Sequence, residues 1–129
     1  MKKITLSHVP ALLVLLIMAC LPLAAPGAAL AVSPEEQPRV DALLAAVERE
    51  TDLVFIRNGS EHTAQEAASH LRLKLRRAGS RVTTAEQFID HLASGSSFSG
   101  KPYMIRQPGQ EPEPAGQFLH RLLREVAPK

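Results

Sequence analysis

The stretch that decides the fold reads TAQEAASHLRLKLRRAG and runs from Thr63 to Gly79. Thr63 and Glu66 have the spacing of a capping box, which marks a helix start, and glycine is a typical residue just after a helix end. Between them, apolar residues recur on one helical face. These residues are Ala64, Ala67, Ala68, Leu71, Leu75 and Ala78. The pattern predicts an amphipathic helix whose first turns carry small residues, so that another element can approach closely.

Three further helices are predicted on either side of this one. The first covers about residues 38–50, where apolar residues follow the same helical spacing. The next begins at a second capping box, formed by Thr83 and Glu86, and ends at Gly95. The last is entered through Pro114 and continues almost to the end of the chain.

Two short apolar runs, residues 53–56 and 103–106, predict strands. The first run leads into a turn at Asn58-Gly59. Two helices joined by short turns separate the runs, so the chain should return to the end it left, and the second strand should run antiparallel to the first. This order places Arg57 and the Asn58-Gly59 turn beside the loop Ser97–Lys101. The predicted fold is mainly α, a single small domain of about four helices with two short antiparallel strands.

The first 31 residues have the parts of an export signal. Lys2 and Lys3 precede an uncharged apolar run, and Ala29 and Ala31 place small residues where a signal peptidase reads the chain. We therefore expect residues 1–31 to be a cleaved signal peptide and residues 32–129 to be a single periplasmic domain. A lipoprotein processed at Cys20 is one alternative, and an uncleaved anchor is another. All three place the folded part outside the cytoplasm, because the two lysines hold the N-terminus inside.

Removing this segment changes the charge balance. Without its two lysines, the 15 basic residues drop to 13, equal to the 13 acidic residues. A neutral domain carries no signature of nucleic-acid binding. The single cysteine lies in the same segment, so the remaining domain is expected to be held by packing and not by disulfides.

The loop from Gly95 to Lys101 resembles the start of a phosphate-binding P-loop. Such a loop should follow a strand and open a helix, with a Ser or Thr after its lysine. Here the loop follows a helix, precedes a strand and has Pro102 in that position. We therefore predict no ATP binding. The serines beside Lys101 leave a Ser–Lys hydrolase open, using Ser97 or Ser99. The plainer alternative is a flexible connection with Phe98 packed into the core.

Other candidate chemistry is incomplete. Four histidines remain after the export signal, but none form a pair with the helical spacing of a zinc site, so neither a metal nor another cofactor is predicted. Five basic residues lie within residues 72–81 without an acidic one. They favour either a solvated helix end or a patch for anionic lipid, lipopolysaccharide or an acidic protein.

Four segments occur together in an order that carries a resemblance to a known family: residues 55–60, 70–75, 84–89 and 97–103. The chain resembles the YfeK-like family of small exported bacterial proteins, domain-of-unknown-function family 5329. The resemblance covers most of the domain and implies a periplasmic helical fold with no established activity. It carries over no catalytic residue. Where the family often has an Asp-Gly turn and a Trp, this chain has Pro108-Gly109 and Phe118.

The segments of this resemblance and the predicted topology meet at one place. Polar residues at the end of a packed scaffold are typical of recognition sites. The candidate ligand-binding residues are Arg57, Asn58, Ser97, Ser99, Lys101 and Tyr103. They favour a non-enzymatic binding module for an envelope protein or an anionic glycan or lipid. The alternatives are the Ser–Lys hydrolase and a purely structural envelope protein.

Overall fold

The computed structural model describes residues 32–128, so the predicted cleavage after Ala31 and the lipidation at Cys20 lie outside the described residues. The described chain forms four α-helices and four short strands. In chain order they are α1 (Gln37–Arg49), β1 (Val54–Arg57), β2 (Ser60–Thr63), α2 (Ala64–Ala78), α3 (Ala85–Phe88), β3 (Met104–Arg106), β4 (Glu113–Pro114) and α4 (Ala115–Val126). The prediction of a mainly α domain with a small antiparallel sheet is confirmed.

The sheet has the order β2-β1-β3-β4, and every pair in it is antiparallel. The pairing of β1 with β3, in which Phe55 faces Ile105, confirms the predicted antiparallel orientation. Two strands were missing from the prediction. Asn58 and Gly59 both have positive φ angles, 48° and 80°, as a type I′ hairpin requires, so the chain turns back directly into β2.

Helix α2 begins and ends as its sequence predicts. The Thr63 side chain accepts a hydrogen bond from the Glu66 backbone N–H at 3.1 Å, and the Glu66 carboxylate accepts one from the Thr63 N–H at 2.9 Å. Gly79 follows with a φ of 56°, which favours glycine. All six residues of the predicted apolar face are buried. They pack against α1 and β1.

Helix α3 begins one residue later than predicted and changes its winding. Its cap is Thr84, whose hydroxyl accepts a hydrogen bond from the Gln87 backbone N–H at 3.1 Å. The backbone N–H and the hydroxyl of Thr83 both donate to the side-chain oxygen of Gln87. Glu86 does not complete a capping box and pairs with Arg39 of α1. After Phe88 the chain continues as a π-helical turn, Ile89–Ala93.

The helices enclose one core with the inner face of the sheet. Helix α1 packs against α2 and α4, while α4 also contacts β3. The largest fully buried side chain is Phe88. Within residues 32–128, none of the helices combines the length and the apolar character needed to cross a membrane. This packing fixes the end of the sheet at which β1 enters the hairpin turn and the loop before β3 leads into that strand.

Candidate functional site

The two polar segments that the sequence placed together are in contact. The Ser99 hydroxyl donates a hydrogen bond to the Asn58 side-chain oxygen at 2.7 Å. The Asn58 side-chain nitrogen lies 3.5 Å from the Ser96 hydroxyl oxygen. Because β1 and β3 are antiparallel neighbours, the end of β1 and the loop before β3 meet at one edge of the sheet. The geometry therefore brings residues about 40 positions apart into one surface.

The loop from Gly95 to Pro102 is closed by its own backbone. Gly95 and Pro102 pair across its base, and the Ser96 N–H donates to the Lys101 carbonyl at 2.9 Å. Glycine suits position 95, since a Cβ there would lie 3.1 Å from that carbonyl oxygen and would push against it. Ser96 is buried, and its hydroxyl accepts from the N–H groups of Phe98 and Ser99, each at 3.2 Å. The loop leads into a strand, unlike a P-loop.

Phe98 corrects one expectation. The plainer interpretation of the loop packed this ring into the core, but the side chain is fully exposed. The buried Ser96, and not Phe98, anchors the loop. Its hydroxyl accepts hydrogen bonds from two backbone N–H groups, and the tip of the loop points outward. An apolar ring consequently projects at the rim of the cavity described next.

A cavity of about 720 Å³ lies between this loop, the end of β1 and the C-terminal half of α2. Its volume falls within the range of small-molecule sites, about 300–1,000 Å³. Six basic or imidazole side chains line it. They are Arg57, His70, Lys74, Arg77, Arg81 and His91. Among the described residues, no Asp or Glu lines this cavity, so its electrostatic potential favours an anion.

Lys74 connects the cavity wall to the loop. Its ammonium group donates to the carbonyl oxygens of Leu92 and Gly95, at 2.5 and 3.0 Å, and to the Tyr103 hydroxyl at 3.3 Å. It also lies 5.0 Å from the centre of the Tyr103 ring, which is within cation–π distance. Burial lowers the pKa of Lys74, and the charge of Arg57 lowers it further. Lys74 thus ties the π-helical turn and the loop to α2.

Arg57 and His70 form the second contact within the wall. The Nη1 atom of Arg57 lies 3.0 Å from Nε2 and 3.3 Å from Nδ1 of His70. Burial lowers the pKa of His70, and the nearby charges of Arg57 and Lys74 lower it further. A neutral imidazole can accept a hydrogen bond from the guanidinium, whereas a charged one would repel it. Burial raises the pKa of Tyr103, although Arg57 opposes this effect.

His70 should therefore titrate below the ordinary histidine pKa of about 6.5. The unfolded chain binds this proton more readily than the folded chain. The contribution of His70 to stability is therefore present above about pH 6.5 and is lost as the pH falls from there through the lowered pKa of the folded state. Imidazole resonances followed by NMR across pH 4–8 measure the pKa. Exchange of Arg57 for glutamine removes one positive charge and should raise it. A wild-type pKa at or above 6.5 would contradict this geometry.

The structure divides the sequence-predicted site residues into two sets. Arg57, Asn58, Ser97 and Tyr103 line the cavity. Ser99 contacts Asn58, while the exposed Lys101 is not among the lining residues. The positive charge expected from the loop is supplied by α2 instead.

The sequence analysis missed the α2 face of the site, although the sequence contains its signal. His70, Lys74, Arg77 and Arg81 are separated by four, three and four positions, which places them on one side of the helix and the turn after it. Three of them belong to the basic segment 72–81, whose charges the sequence prediction takes together, and His70 lies two positions before it. Arg72, from the same segment, points elsewhere and pairs with Glu48. The spacing of the charged residues along the helix therefore distinguishes those that line the cavity from Arg72, which does not.

Among the described residues, metal-binding side chains do not gather at this site. Across residues 32–128, no three His, Cys, Asp or Glu side chains are grouped as a metal ion would require. The Nε2 atom of His120 on α4 lies 2.7 Å from a carboxylate oxygen of Asp90 on the π-helical turn. The chemistry available in the cavity is charge-assisted hydrogen bonding to oxygen anions, which the guanidinium groups can make in pairs.

Fold and site together define a small, mainly α domain that encloses a basic cavity beside a four-stranded antiparallel sheet. The profile described as "Family of unknown function (DUF5329)" matches residues 34–127, and the chain belongs to this family. The chain is similar to the "Uncharacterized protein YfeK" of Salmonella typhimurium, with 53% identity over 72 residues. The match covers 56% of this chain and 60% of that protein. No solved structure matches the chain. The resemblance inferred from the sequence motifs is confirmed.

Proposed function

We propose that this protein is a non-enzymatic binding module of the periplasm that captures an anionic ligand of the cell envelope. The observation that carries the proposal is the cavity of about 720 Å³ with six basic or imidazole side chains and, among the described residues, no carboxylate in its lining. The N-terminal features of an export signal support the location. An envelope protein, a glycan or a lipid could each present the anionic group.

Two of the arginines in the cavity wall are held by contacts that leave some of their N–H donors available. Arg57 contacts the neutral His70, and Arg81 donates to the backbone carbonyls of Ala78 and Arg77 at 2.9 and 3.0 Å. By contrast, four arginines outside the cavity pair with carboxylates, as in Arg39–Glu86 and Arg121–Glu113. Like charges gathered without counter-charges repel one another, and an anion relieves this repulsion.

The Ser–Lys hydrolase has no observation in its favour among the described contacts. Ser99 approaches Lys101 through the backbone N–H of the lysine, at 3.3 Å, and not through its ammonium group. The Ser99 hydroxyl donates a hydrogen bond to the Asn58 side-chain oxygen. Ser97 lines the cavity, where it can donate a hydrogen bond to a bound oxygen.

Calorimetric titration with pyrophosphate tests the proposal directly. Pyrophosphate presents several oxygen anions in a small volume and needs no apolar contact. We expect saturable binding of one equivalent, weakened as sodium chloride is added because salt screens the charges. A matched titration with glucose supplies a ligand without charge. Absence of binding, or equal heats for glucose and pyrophosphate, would contradict the proposal.

A further inference from the structure

A second cavity, of about 270 Å³, adjoins the basic one. Arg57, His70 and Tyr103 line both cavities, so these three residues stand between them. The rest of its lining is mostly apolar. The apolar residues are Phe55, Ile56, Ala67, Leu71 and Ala93. The two polar ones are His62 and Glu66, whose Nδ1 and Oε2 atoms lie 3.7 Å from each other. The domain therefore places a small apolar space directly behind a cluster of positive charges.

The dividing residues are held by contacts that an anion would compete for. The guanidinium of Arg57 rests on the imidazole of His70, and Tyr103 is held by the ammonium of Lys74. An anionic group in the basic cavity offers Arg57 a stronger, charge-assisted partner than a neutral imidazole does. Such a partner would draw the guanidinium away from His70, and Arg57 is one of the three residues that line both cavities.

We propose that the anionic ligand is an amphiphile with one short alkyl chain. Its anionic head lies in the basic cavity, and its chain enters the apolar cavity past Arg57, His70 and Tyr103. This inference rests on the proposed function and adds the chemical class of the ligand. Charge complementarity selects the head, and the apolar lining selects the chain.

The volumes limit the chain to a single short one. The apolar cavity is somewhat smaller than the roughly 300 Å³ at which sites for drug-sized molecules begin. It cannot hold the paired acyl chains of a membrane phospholipid. A wholly polar glycan would leave the apolar space unfilled and would gain nothing from its position behind Arg57.

A series of alkyl phosphates tests the proposal on the whole folded domain. Inorganic phosphate, ethyl, butyl, hexyl and octyl phosphate share a head group and differ in chain length. Each methylene that enters the apolar cavity should raise affinity by about threefold to fourfold, until the cavity is full. Octyl glucoside has the same chain on a neutral head and should bind far more weakly than octyl phosphate. All ligands are used below the concentration at which they form micelles.

Filling the apolar cavity provides a variant for this test. Ala67→Leu places three more carbon atoms in the cavity lining and should remove the advantage of octyl phosphate over phosphate, while phosphate itself still binds. Thermal unfolding shows whether the variant folds. The chain-length series on the wild type needs no substitution, so it decides the question even where Ala67→Leu fails to fold.

The outcomes separate this inference from the function on which it rests. Equal affinity along the series, with phosphate and pyrophosphate bound, overturns the amphiphile and leaves the anion-binding module standing. Equal binding of octyl glucoside and octyl phosphate also overturns it, since the head would then play no part. Failure of pyrophosphate and of every alkyl phosphate to bind overturns both proposals.

Discussion

Exchange of Arg57 and Arg77 for glutamine should lower the affinity for pyrophosphate by about 100-fold. Both side chains line the basic cavity, one from the end of β1 and the other from α2. A hydrogen bond to a charged group contributes about 1.5–3 kcal/mol, and the lower value is about tenfold in affinity for each side chain. Glutamine keeps a polar side chain and removes the charge. Calorimetric titration of the variant and the wild type measures the ratio.

The matched control replaces Arg49 and Arg124 with glutamine. These two arginines are exposed on α1 and α4, outside the cavity lining, and their loss changes the net charge by the same amount. We expect less than a threefold loss of affinity for this control, since screened surface charges act weakly over distance. Equal losses in the two double variants would show that pyrophosphate responds to net charge alone, and would count against the cavity as the binding site.

Replacement of Phe88 by alanine should lower the free energy of unfolding by about 3–5 kcal/mol, as large buried aromatic residues do. Phe88 is fully buried at the point where α3 gives way to the π-helical turn. Loss of its ring leaves a void between elements that also position Leu92 and Gly95, the carbonyl partners of Lys74. Urea unfolding measures the change as a shifted midpoint with an unchanged slope.

The matched control is Phe98→Ala, the same substitution at an exposed position. Its ring is fully exposed, so Phe98→Ala should change stability by no more than about 0.5 kcal/mol. The pair of variants separates packing from any general effect of losing an aromatic residue. A loss below about 1 kcal/mol for Phe88→Ala, well under the usual range for such a truncation, would contradict the packing described for α3.

Much of the fold follows from local signals in the sequence. The capping box at Thr63 and the apolar face of α2 predict that helix correctly because propensity, capping and burial agree there. The antiparallel pairing of β1 with β3 follows from two helices that return the chain to its starting end. The cap of α3 was predicted at Thr83 but lies at Thr84. Either threonine is followed three residues later by Glu or Gln, so the sequence alone does not decide between them.

The strands β2 and β4 show where such signals end. The β2 sequence, Ser60 to Thr63, is polar and mostly exposed, so no apolar alternation marks it. Its pairing is imposed by the hairpin at Asn58-Gly59, a signal that the sequence does contain. The two-residue strand β4 forms only because the turn before it brings Pro114 beside Met104.

The candidate site was predictable in part. Topology placed Arg57 and Asn58 beside the serine loop, and the structure brings them together. The contribution of α2 was missed because the cations of residues 72–81 were treated as one charge run, although Lys74 and Arg77 turn toward the cavity while Arg72 pairs with Glu48. The exposure of Phe98 depends on how Ser96 bonds its own loop, which no periodicity in the sequence reveals.

The most direct test of the central claim is an NMR titration of the ¹⁵N-labelled domain with pyrophosphate. If two distant polar segments and one face of α2 form a single anion site, the amide shifts should cluster at Arg57 and Asn58, in the loop 95–100, and around Arg77 to Val82. The chemical shifts of the amides near Arg49 and Arg124 should not change. Shifts spread evenly over exposed cations, or confined to one of these segments, would contradict the claim.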